Sequence, residues 1–176
     1  MPLVKSPFKS NFELNFYRYY FLIHIPITIL IDSCVVITLP FESIQSLIKW
    51  HIKENNDFLL FEKPKWLYWF VILELIFQLP LFFYFIYKLG NAYTDKSALN
   101  ETRKHDIDPN TTGLTTLLKY YGWNASLTSL FCIFVVLYRG YYPATATHLE
   151  MYPMDKLKLA FYYFPTFIIP FRLCLL

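Results

Sequence analysis

Charge is what this sequence lacks most. Asp, Glu, Lys and Arg together make up 16% of it, against about 25% in an ordinary soluble domain. Hydrophobic residues fill the difference at 56%, and aromatic residues alone reach 21%. A soluble globule of 176 residues has too little interior to hide so much apolar surface, and a disordered chain would carry far less of it. Cysteine is scarce as well: three residues, all inside apolar runs, exclude a disulfide scaffold. Sixteen basic residues against thirteen acidic leave a formal charge of +3, with no basic patch for a nucleic acid. Four glycines supply no phosphate-binding loop. No second His or Cys stands at ligand spacing from His24, so neither a metal nor another cofactor is expected. The class left is a membrane protein.

A mostly apolar stretch of about 20 residues crosses a bilayer core of about 30 Å as a helix. Four such stretches are present, at about Tyr17–Thr38, Trp66–Lys88, Thr115–Tyr138 and Leu157–Leu176. The expected fold is therefore all-α, a polytopic four-transmembrane-helix bundle over residues 17–176 behind an N-terminal tail of residues 1–16. The first stretch is too long for a signal peptide, and no small-residue cleavage site follows it. Aromatic residues at the ends of the stretches, Tyr17, Tyr19, Tyr20, Trp66, Tyr68, Trp69 and Tyr138 among them, suit the membrane–water interface.

Between the first two spans, Ile44, Leu47, Ile48 and Ile52 recur at helical spacing, with Gln45, Lys49 and Lys53 on other faces. A short amphipathic helix lying over the bundle mouth is expected there. Residues 89–114 are polar and turn-rich and read as a loop in water; residues 139–156, with Gly140 and Pro143, read as a compact connection. Nine basic residues fall on the side of the termini and the middle loop and seven on the other, which leans toward both termini in the cytosol. Glycosylation sequons start at Asn100, Asn110 and Asn124. In that orientation the first two stay unmodified.

Two carboxyls stand where lipid would reject them. An acid at the centre of a span costs roughly 2.5–3.5 kcal/mol on insertion scales. Asp32 lies about 9 Å inside the end of the first span and Glu74 about 12 Å inside the start of the second. The same loop joins these antiparallel spans, so both acids lie at similar depth on one side. His24, Thr28 and Asp32 are spaced to share a helix face, as are Glu74 and Gln78, Asn124, Thr128 and Cys132, and Tyr162 and Thr166 with Tyr163 beside them. A polar stripe on every span puts the polar groups inside a bundle. Taken singly, Gln78, Asn124 and Thr128 would serve as interhelical hydrogen bonds worth about 0.6 kcal/mol each. That sum does not offset two buried carboxyls, so the acid pair points to function. Two neighbouring buried carboxyls tend to share one proton. They could then meet a cation with a greasy body, accept from a sterol hydroxyl, or act as general acid and base. Pro26, Pro80, Pro165 and Pro170 lie within the spans. Each frees a carbonyl and can kink its helix, which would open room between helices.

His24-Ile25-Pro26-Ile27-Thr28 followed by Asp32 resembles the first helix of the sigma-2 receptor family, which carries the EXPERA (expanded emopamil-binding-protein) domain. Lys49-Trp50, the run Asp57-Phe58-Leu59-Leu60 with Glu62, Pro64 and Trp66 after it, Glu74-Leu75, Phe77-Gln78-Leu79-Pro80, and Tyr163, Pro165 and Ile169-Pro170-Phe171 fit the same pattern. The likeness covers nearly the whole chain, densest over residues 20–80. It implies a four-helix bundle in the endoplasmic-reticulum and nuclear membrane, both termini cytosolic, with a cavity open toward lipid that binds sterols and cationic amphiphiles. By motif position Asp32 meets the ligand's cation and Glu74 hydrogen-bonds to Asp32. Asp57 holds the loop cap in place, Thr128 and Tyr163 line the pocket, and His24 and Gln78 belong to its polar shell. Thr28 joins them as a ligand-binding candidate from its place on the His24–Asp32 face.

Two positions depart from the pattern. Asn124 stands where the receptor branch has His, and the sequence ends at Arg172-Leu173-Cys174-Leu175-Leu176, so retention by a lysine signal is not expected. The expected partners are a sterol or cationic amphiphile, membrane lipids and other membrane proteins, with a homodimer left open. Three functions fit: a non-enzymatic sterol binder in lipid homeostasis, an adaptor handling client membrane proteins or precursors, and a sterol double-bond isomerase, as in relatives of that family. The matches follow the receptor branch, and no third acid–base group joins the pair beyond His24, so no catalytic residue is assigned.

Overall fold

The computed structural model describes residues 6–8, 10–37, 40–98, 109–143 and 149–176, with the side chains of 93–98 and 109–111 outside the description. Its first helix, α1 (Asn11–Leu30), begins six residues before the expected span, because the Ser10 side chain accepts from the Phe12 amide and caps it. The expected tail of residues 1–16 is shortened accordingly. The helix also stops early. Asp32–Val35 wind as one 3-10 turn instead of continuing the α-helix to Thr38. Ser33 Oγ donates to the Ile29 carbonyl at 2.6 Å and Cys34 Sγ to the Leu30 carbonyl at 3.2 Å, and such back-bonding competes with regular helix.

The first loop holds two helices, α2 (Glu42–Asn55) and α3 (Phe58–Glu62). Asn56 ends α2 and Lys63 ends α3, both in the left-handed region at φ 53° and 47°, the usual way a helix is stopped. Lys63 then reaches back, its Nζ donating to the Cys34 carbonyl at 2.5 Å and closing the end of the first span. The second span is one rod of three parts: α4 (Lys65–Leu73), a π-helical segment (Glu74–Gln78) and α5 (Leu79–Ala98). In the π segment the Leu79 amide bonds the Glu74 carbonyl five residues back. Pro80 has no amide to offer the Ile76 carbonyl, so the wide turn sits where α-helical bonding is already broken.

α6 (Pro109–Arg139) and α7 (Pro153–Leu173) complete the chain, joined by a short connection with an antiparallel bridge between Tyr141 and Glu150. The middle loop is shorter than the expected residues 89–114, since α5 continues to Ala98 and α6 starts at Pro109. Residues 99–108, Asn100 included, lie outside the described residues, as does the Asn110 side chain. Among the described residues three helical stretches are long and apolar enough to cross a membrane: Asn11–Val35, Lys65–Ala92 and Thr112–Arg139. α7 has the length, at 21 residues, but carries Asp155, Lys156 and Lys158 near one end and Arg172 near the other.

The helices associate as two pairs. α1 lies along α5, and α6 lies along α7 over most of its length. Gly122 makes the second pair possible: a Cβ there would stand 2.7 Å from the Pro170 carbonyl oxygen, so only glycine lets the backbones meet. Two apolar cores result. One gathers Phe21, Phe82, Phe85, Leu118 and Tyr121; the other gathers Phe58, Leu59, Val136, Tyr141 and Leu159.

Candidate functional site

Between the two cores lies a cavity of about 330 Å³, lined by residues of both and roofed by α2 and α3. It sits at the lower end of the range of ligand pockets, roughly 300–1,000 Å³. Asp32, Glu74, His24, Gln78, Thr128 and Tyr163 all line it. Each acid is placed by an irregular turn: Asp32 opens the 3-10 turn and Glu74 opens the π segment. Such turns re-aim side chains and recur at functional sites.

Thr28 is fully buried behind the acids rather than on the cavity wall. Its Oγ1 donates to Glu74 Oε1 at 2.9 Å and also bonds with Asp32. The resemblance implies a direct Asp32–Glu74 hydrogen bond; the Thr28 hydroxyl bonds to each of the two acids. A hydroxyl has one proton to give and can accept another. The hydroxyl thus ties the two carboxyls together beside the cavity.

His24 leans on Tyr20, ring centroids 4.2 Å apart, and on Phe82 at 5.9 Å. Its Nδ1 is buried, with the Tyr20 backbone one turn earlier as its hydrogen-bonding neighbour. The Tyr20 and Tyr121 hydroxyls pair at 3.2 Å, and Gln78 Nε2 donates to Asn124 Oδ1 at 2.8 Å. The departure at Asn124 thus binds the second span to the third. The Thr128 hydroxyl turns back to its own helix, donating toward the Asn124 and Ala125 carbonyls at 3.1 and 3.0 Å.

Asp57 closes the mouth. Its Oδ1 accepts from the Leu59 and Leu60 amides, capping α3, and its Oδ2 accepts from the Tyr163 hydroxyl at 2.9 Å and His51 Nε2 at 3.3 Å. The Asn55 side-chain amide and His51 Nδ1 pair at 3.0 Å, which fixes the ring against Asp57. With four donors, Asp57 is already satisfied by the protein. A ligand cation would find its counter-charge at Asp32 and Glu74.

The four span prolines act at a distance. Pro26, Pro165 and Pro170 lie inside α1 and α7, and Pro80 follows the π segment. Pro170 withholds the amide that would meet the Thr166 carbonyl, and Ser129 Oγ donates to that carbonyl at 3.1 Å. Pro165 lines a second space, a nearly apolar groove of about 600 Å³ along α1 and α7. Tyr20, His24 and Thr166 line both groove and cavity, so the two adjoin.

Sequence reasoning missed His51, Tyr20 and Tyr121. Tyr20 stands one turn before His24 on the stripe already recognised but was read as an interface anchor. His51 reaches Asp57 only because Asn56 reverses the chain in a left-handed turn. Tyr121 carries no sequence signal that separates it from a dozen other aromatic residues.

The comparisons with known proteins agree with this architecture. Residues 43–175 match the family model described as EBP: EXPERA (EXPanded EBP superfamily). The chain is 47% identical over 165 residues to a protein of Saccharomyces cerevisiae named "Efficient mitochondria targeting-associated protein 19", a match covering 92% of this chain and 95% of that protein. It is 45% identical over 65 residues to "Sigma intracellular receptor 2" of Homo sapiens, covering 36% of this chain and 37% of the receptor. The Xenopus tropicalis receptor of the same name is 39% identical over 66 residues.

Proposed function

The chain belongs to the EXPERA family, the expanded EBP superfamily, and we propose that it binds a sterol or cationic amphiphile in its intramembrane cavity, without catalysis, in lipid homeostasis. The observation that carries this reading is the Asp32–Thr28–Glu74 arrangement, two linked carboxyls in a space walled in part by Ile27, Ile31, Leu67, Phe70 and Val71. An ammonium group would sit against the acids and its hydrocarbon body would fill the apolar wall. A sterol hydroxyl would use the same acceptor. His24 offers a second polar contact where the cavity adjoins the lipid-side groove. The site operates from the endoplasmic-reticulum and nuclear membrane, with both termini in the cytosol. Glycan on Asn100 or Asn110 in native material would overturn that orientation.

The test is binding of radiolabelled cholesterol and of a radiolabelled cationic amphiphile to the purified protein, repeated with Asp32→Asn and Glu74→Gln. Saturable binding lost in both variants supports the reading. No binding by the wild type, or binding unchanged in both variants, sinks it. Mass spectrometry on the same samples distinguishes an isomerase, which would convert a sterol substrate.

A second reading rests on the match to the Saccharomyces protein, which spans nearly both chains. On that reading the chain takes part in efficient mitochondria targeting, as an adaptor for precursors, and the polar cavity is its client site. It predicts that cells without the protein import a labelled mitochondrial precursor more slowly. Asp32→Asn would then fail to restore the rate, whereas restoration at full rate would separate the cavity from targeting.

A further inference from the structure

α2 differs from every other long helix of the molecule in being almost unburied. From Glu42 to Glu54 no side chain is buried. Ile44, Ile48 and Ile52 are half-covered on the side toward the bundle, while Leu47 and Trp50 stand out on another edge, Trp50 at 59% exposure. A roof reaching into water would not place its tryptophan there.

The attachments of α2 fix its height. Lys158 Nζ donates to the Glu54 carbonyl at 3.3 Å, the His51 ring packs edge-on to Tyr162 at 5.8 Å, and Asp57, just beyond α2, holds Tyr163. Tyr163 lies ten residues beyond the start of α7 at Pro153, about 15 Å along the helix. The same end of the molecule carries exposed Tyr68 and Trp69 in the first turns of α4, Tyr138 in the last turn of α6 and Tyr152 before α7. Aromatic residues gathered at one level of a spanning bundle mark the membrane–water interface. The C-terminal half of α2 is therefore level with that belt or inside it. Its uncovered edge continues the belt, with Ser43, Ser46 and Glu54 flanking Trp50.

We infer that the Leu47–Trp50 edge of α2 rests in the headgroup layer of the bilayer. α2 is thus an interfacial helix whose inner side roofs the cavity and whose outer side is covered by lipid. Helices of this kind combine one apolar face with lysines on the polar face, as Lys49 and Lys53 do here. The occupant is the lipid of the membrane that the protein itself spans. This inference rests on the spanning fold and not on the proposed ligand.

The test is quenching of Trp50 fluorescence in the full chain reconstituted into phosphatidylcholine nanodiscs. Trp66→Phe, Trp69→Phe and Trp123→Phe together leave Trp50 as the single reporter. Phosphatidylcholine brominated near the headgroup should quench most of its emission, and aqueous acrylamide should quench it several-fold less than free tryptophan. If the triple variant does not fold, the difference in bromolipid quenching between wild type and Trp50→Phe isolates the same signal. Strong acrylamide quenching without bromolipid quenching would show a cap in water and overturn the inference. Protection from both quenchers would place a protein or a second copy on this edge and overturn it equally.

Discussion

Polar side chains inside the bundle meet two different fates, one along α6 and one across from it. On the side toward α7, Ser126 Oγ donates to the Phe167 carbonyl and Ser129 Oγ to the Thr166 carbonyl, and Gly122 lets the backbones touch. Each of these hydroxyls is answered by a neighbouring carbonyl, and of these positions Ser129 alone also borders the cavity. Asp32, Glu74 and His24, across the bundle, are as polar and as deep, yet they line a space of about 330 Å³. Polarity inside a membrane therefore does not by itself mark function. The mark is a polar group that faces a space large enough for a ligand.

This contrast can be broken by exchanging the roles of the two regions. Asp32→Asn should weaken binding of a cationic amphiphile by about 2–5 kcal/mol, thirtyfold or more, while the unfolding temperature stays level or rises, because an intramembrane acid is removed. Equilibrium binding and a thermal melt on one preparation check both halves. Gly122→Ala should do the reverse. It drives a methyl group against the Pro170 carbonyl and should lower stability by about 1–3 kcal/mol, with unchanged affinity in the protein that remains folded. Thr28→Val lies between the two, since it leaves Glu74 without its donor. Affinity should fall about tenfold without loss of the fold, as read by the same binding assay. The smallest effect belongs to Ser126→Ala, which removes the bond to the Phe167 carbonyl, about 0.6 kcal/mol of stability, measured by the melt alone. An effect on affinity equal to that of Thr28→Val would erase the distinction between seam and site.

Much of this arrangement was legible in the chain. Length and hydropathy located the helices, because a bilayer sets a single length scale for every span. The stripe His24, Thr28, Asp32 and the antiparallel pairing of the first two spans brought the acids together on paper. What was not legible came from backbone irregularity. The 3-10 turn at Asp32 arises from Ser33 and Cys34 bonding back to their own helix, and the π turn at Glu74 from a proline six residues later. Neither leaves a trace in a hydrophobic pattern. They put Thr28 between the carboxyls instead of beside them. The partner of Asp57 was hidden for a similar reason: His51 is near it only after the left-handed turn at Asn56.

The central claim is that Asp32 and Glu74 together present one negative charge to a ligand from within the membrane. It is tested most directly by comparing a cationic amphiphile with its uncharged isostere on the protein in nanodiscs, wild type against Asp32→Asn. The account predicts that the wild type prefers the cation at least tenfold and that the variant shows no preference. Equal binding of the two ligands by the wild type, or a preference that survives in Asp32→Asn, would contradict it.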